Sequence, residues 1–113
     1  MKRIFHPGGS VVTGSDLADA VLSYAEALSN RRQVDVVDIP VVGEGGLPGR
    51  AQFLIGSASQ LVSVTAEAAD IELVELGTTE LLRRKTLDRS VMTPVGLTAA
   101  EAAEYAQFDE FDY

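Results

Sequence analysis

The chain contains no cysteine. Disulfides, thiol nucleophiles and cysteine-based zinc or iron–sulfur sites are excluded, and the absence is compatible with a reducing cytoplasm. Tryptophan is absent too, and four Phe and three Tyr are the only aromatics besides one histidine, so aliphatic side chains must fill the core. That histidine, His6, would have to serve any Ser-His-Asp triad, and a His-pair metal site cannot be built. No apolar run approaches the roughly 20 residues that cross a bilayer, and MKRIFHPGGS lacks the apolar stretch of a signal peptide. A cytoplasmic protein without membrane contact is expected. Bases are missing from residues 91–113, which hold five acids, whereas residues 1–50 and 51–90 are nearly balanced. The net charge of −8 repels phosphates, so nucleic acid is not an expected partner.

What is present suits one folded domain. A chain of 113 residues, 46% hydrophobic and 23% charged, can bury a single modest core. We place that domain at residues 1–90 and read 91–113 as an acidic segment, docked or partly disordered. The strongest local signal is Ser15 to Gln33. Leu17, Val21, Tyr24 and Leu28 recur at three- and four-residue steps, an apolar stripe along a helix. Ser15 is the expected N-cap, Asp16 suits the first turn, and Arg31 and Arg32 suit the last. The stripe should bury against strand residues that include Phe53 and Ile55.

Short strands surround this helix. Arg3 to Phe5 and Ser10 to Thr13 flank a His6-Pro-Gly-Gly9 turn as a hairpin. Val34 to Val42 is rich in β-branched residues, and Pro40 marks it as an edge strand or as lying near its strand's end. Gly43 to Gly49 reads as a loop, and Ala51–Ile55 and Leu61–Thr65 as two more strands of a three-stranded meander. Gly77 to Arg89 reads as a short helix with Leu81 and Leu82 inward. Thr98 and Glu101 form a capping box that opens another short helix. The fold class expected is α+β: a mainly antiparallel sheet, hairpin plus meander, on one long N-terminal helix, with a shorter C-terminal helix and the acidic tail.

No stretch carries a recognisable catalytic constellation. The Gly43–Gly49 loop lacks the GK[ST] ending of a phosphate cradle, and the Gly49-Arg50 that stands there opens a strand. Gly56-Ser-Ala-Ser59 is half a nucleophile elbow, with Gln60 where the second glycine belongs; Ser57 and Ser59 read better as turn residues. Asp35/Asp38 and Asp109/Glu110/Asp112 lack metal-loop spacing and read as solvated acidic faces. Neither a metal nor a cofactor is expected. Arg83-Arg84-Lys85 with Arg89 wraps around its helix and makes no basic stripe.

Val-Asp-Ile-Pro-Val, the glycine-rich loop and the strand ending Leu-Ile-Gly-Ser-Ala-Ser-Gln-Leu-Val resemble a family of small single-domain actinobacterial proteins. The resemblance spans about residues 8–89 and implies a single domain, with no activity or site residues to transfer.

Two functional readings remain. The first is a non-enzymatic interaction domain that associates with a second copy, through a sheet edge or the C-terminal segment, or with another protein. Tyr105, Phe108 and Phe111 would serve there, since three-residue spacing aligns them on a helix. The second is a small-ligand binder or an enzyme with a site at a dimer cleft. Its candidates are His6, Arg50, Ser57, Ser59 and Gln60, all at turns flanking the expected sheet.

Overall fold

The computed structural model describes residues 1–57, 59–66 and 72–87. Its elements run β1 (Lys2–His6), β2 (Gly9–Thr13), α1 (Ser15–Asn30), β3 (Val34–Val42), a 3-10 turn (Glu44–Gly46), β4 (Pro48–Gly56), β5 (Val62–Thr65) and α2 (Leu76–Leu87). The class is α+β, with five antiparallel strands and two helices. The Thr98–Glu101 capping box, Arg89 and all of residues 91–113 lie outside the described residues.

Helix α1 carries the core. Leu17, Val21, Tyr24 and Leu28 are each no more than 1% exposed, and Val21, Tyr24 and Leu28 cluster with Ile4, Val37, Ile39 and Ile55 from the strands. Phe53 is partly buried against the same cluster. The N-cap is Gly14 rather than Ser15, and no side chain caps the helix. Ser15 is already helical, and its backbone N–H donates to the Glu72 carboxylate. Gly14 is required by close approach: a Cβ there would stand 1.7 Å from the carbonyl oxygen of Leu73.

At its other end α1 closes in a Schellman motif. Gln33 N–H donates to the Leu28 carbonyl at 2.9 Å and Arg32 N–H to that of Ser29 at 3.1 Å. The left-handed residue is Arg32, with φ 57°, where glycine is usual. The Arg31 guanidinium reaches across to the last carbonyls of α2, those of Lys85 and Thr86. In α2, Leu82 is buried, but Leu81 is 40% exposed; the expectation that both face inward fails at Leu81. Adjacent helical positions lie about 100° apart, and α2 buries only a narrow strip against α1.

The strand order is β4-β3-β2-β1-β5. The expected meander is corrected here: β3 and β4 pair along their whole length, whereas β5 pairs with β1. β4 also begins three residues earlier than expected, at Pro48, whose missing N–H an edge strand tolerates. β3 is internal but meets β2 at one pair only, Val12 with Val42. Pro40 has no N–H to extend that ladder, and its carbonyl accepts from the buried Thr13 hydroxyl at 2.7 Å.

This seam lets the sheet roll. In a flat ladder extended from Val12–Val42, Val37 would lie about 16 Å to one side and Gly9 about 10 Å to the other. Instead the imidazole of His6, partner of Gly9, stacks on Phe53, partner of Val37, with ring centroids 4.9 Å apart. The β3–β4 hairpin folds back over the β1–β2–β5 ladder. The link from β4 to β5 agrees. Residues 57–61 join opposite edges, about 19 Å apart if flat, and a fully extended link would barely reach, at about 20 Å. Yet Ser59 N–H bonds the Gly56 carbonyl in a turn, so the link is not extended.

Residues 72–75 form a strap that pins one end of the molecule. The Glu72 carboxylate holds the Ser15 N–H and, at 2.9 Å, the amino group of Met1. Glu75 takes the Arg50 guanidinium at 3.0 and 3.2 Å and the Thr78 hydroxyl.

Candidate functional site

The five candidate ligand residues divide between two ends of the fold. His6 ends β1, and Ser57, Ser59 and Gln60 lie in the link that feeds β5 beside it, since Phe5 pairs with Val62. These four share one end but no hydrogen bond with one another among the described residues. The Nδ1 atom of His6 accepts from Gly8 N–H at 3.1 Å, and the ring lies on Phe53 with 9° between planes. The backbone N–H of Ser59 bonds the Gly56 carbonyl at 3.0 Å in a turn, whereas that of Ser57 bonds the carbonyl of Gln33, distant in the chain, also at 3.0 Å.

Arg50 stands apart, opposite Pro40 on β4. Asp38 at 2.8 Å and both oxygens of Glu75 take up its guanidinium, and the amide of Gln52 donates to Asp38 at 2.9 Å. Arg50 thus joins β3, β4 and the strap. Asp38 is held below the usual carboxylate range by Gln52 and Arg50, and Glu75 by Arg50 and Thr78. Among the described residues, no group of three or more His, Cys, Asp or Glu could hold a metal ion. No helix there is long and apolar enough to cross a membrane.

A second polar cluster lies between the helices and β3. The Tyr24 hydroxyl, fully buried, donates to Asp35 at 2.5 Å, and Lys85 reaches the same oxygen at 3.2 Å from 6.0 Å above the Tyr24 ring. Burial, reinforced by the Asp35 bond, pushes the Tyr24 phenol well above its ordinary value. The Tyr24–Asp35 bond ties α1 to β3.

Two surfaces went unseen in the sequence. One is the side of the β5–β1 ladder turned away from the core. Phe5 sits beside Val62 there, with Val64 next along the strand, and the three are 44–55% exposed. The other is a cleft of about 630 Å³ at the seam where β2 and β3 part, with Arg3, Ser10 and Glu44 among its polar residues. Neither has a local motif, because both arise from strand order. Tyr105, Phe108 and Phe111, the candidate interaction residues, lie outside the described residues. No protein-family model, no curated protein and no solved structure matches this chain.

Proposed function

We propose that this protein is a small interaction domain that associates with a second copy of itself along β5. The observation that carries the reading is the exposed row Phe5, Val62 and Val64 beside a strand that, among the described residues, pairs on one side only. Contiguous apolar surface at an unpaired strand is a template for pairing. Two β5 strands related by a two-fold axis would extend the ladder and bring the two rows together. Charge does not oppose this locally. Strands β1, β2 and β5 contain no acid, and the two Arg3 residues would lie about three strand spacings, roughly 14 Å, apart, beyond the screening length at physiological salt.

Sedimentation or light scattering across a concentration series tests the reading. The chain should dimerise in a concentration-dependent way, and Val62→Lys, at a position 55% exposed, should hold it monomeric without unfolding it. A wild-type chain that stays monomeric at millimolar concentration, or a dimer indifferent to Val62→Lys, would overturn it.

A further inference from the structure

The seam cleft combines three features that no motif announced. Its apolar wall is made by Val11, Val41, Val42 and Ala51. Arg3 lines it from β1, bonded to the Ser10 hydroxyl at 3.0 Å, and Glu44 lines it from the 3-10 turn. Neither charge has an ionic partner among the described residues, in contrast to Arg50 at the same cleft, which two carboxylates occupy. The third feature is backbone. The two-residue Pro7-Gly8 turn closes on the His6–Gly9 pair, so the ladder bonds to β1 fall at Gly9, Val11 and Thr13. Ser10 therefore turns its N–H and C=O the other way, toward β3, where pairing stops at Val42.

A cation, a carboxylate, an unpaired strand residue and an apolar wall describe a complementary ligand. It has an extended backbone, apolar side chains, an ammonium at one end and a carboxylate at the other. We infer that the cleft binds a short apolar peptide with both termini free, its carboxylate on Arg3, its ammonium at Glu44 and its backbone against Ser10. A single anion would meet the repulsion of Glu44, and a single cation that of Arg3; the zwitterion satisfies both. The volume lies within the range of pockets that enclose small ligands and suits two or three residues. Backbone pairing supplies the common affinity, and the valine and alanine wall selects small side chains.

The test is an amide chemical-shift titration of the full chain with the tripeptide Ala-Val-Ala, its N-acetylated form and its C-terminal amide. The free peptide should shift Ser10 to Val12 and Val42 to Glu44. Acetylation and amidation should each weaken binding roughly fivefold, as expected for loss of one partly exposed ion pair. In Glu44→Gln the acetylation penalty should vanish while the amidation penalty stays, and in Arg3→Gln the reverse. Both side chains are exposed, and the same spectra report whether each variant is folded. Absence of shifts at millimolar peptide, shifts confined to other residues, or equal binding of all three peptides would overturn the proposal.

Discussion

Single side chains here separate cleanly into those that hold the fold and those that do not. Leu28 is fully buried where α1 meets the sheet, so Leu28→Ala should cost about 2–4 kcal/mol, transfer plus cavity. Leu54, 56% exposed on the outer side of β4, should tolerate the same truncation within about 1 kcal/mol. Urea unfolding of both variants measures the contrast, and equal losses would mean that α1 is not the main support. Arg32 offers the opposite case. It holds φ 57° in the α1 terminus, a conformation that strains any residue with a Cβ. Arg32→Gly should therefore stabilise by about 0.5–1 kcal/mol. The buried stripe of α1 was legible because periodicity at three and four residues is a local property. The Arg32 terminus was not, because its usual signal, a glycine, is missing.

The strap at residues 72–75 is the element most exposed to pH. The Ser15 N–H and then the Met1 amino group lower Glu72 from 4.5 to about 2. Glu75 and Asp38 are lowered as well, through Arg50, Thr78 and Gln52. Each folded value lies below its unfolded one, so their stabilisation is complete above the unfolded values near 4 to 4.5. It is lost as pH falls through the folded values, for Glu72 toward about 2. The Ser15 amide proton, which reports its own acceptor, should titrate with a midpoint near 2; a midpoint at 4.5 would show that the carboxylate is free. Residues 72–75 are identified by what they hold, Met1, Ser15 and Arg50, which come from three separate parts of the chain.

For the whole molecule, the rolled sheet has a direct signature. With His6 lying on Phe53 at 4.9 Å, ring current should move the imidazole protons upfield, and Phe53→Ala should return them to ordinary positions. Unmoved protons would mean that the two ladders do not close on one another. The strands, the two helices and the α+β class were all written in the sequence, because hydrophobic period and turn residues act over a few positions. Strand order was not. β4 and β5 are neighbours in sequence and read as a hairpin, yet they occupy opposite edges, with β3, β2 and β1 between them. What separates them is competition for partners: β5 finds β1, and the donor that Pro40 lacks stops β2 and β3 at one pair. The candidate sites follow the same division. His6, Ser57, Ser59 and Gln60 could be picked out residue by residue and came to one end of the fold, while Arg50 went to another. The apolar row on β5 and the cleft beside Arg3 and Glu44 exist only because strands far apart in the chain meet or part there. Local periodicity determined the elements; long-range pairing, which no short stretch encodes, decided which surfaces they leave open.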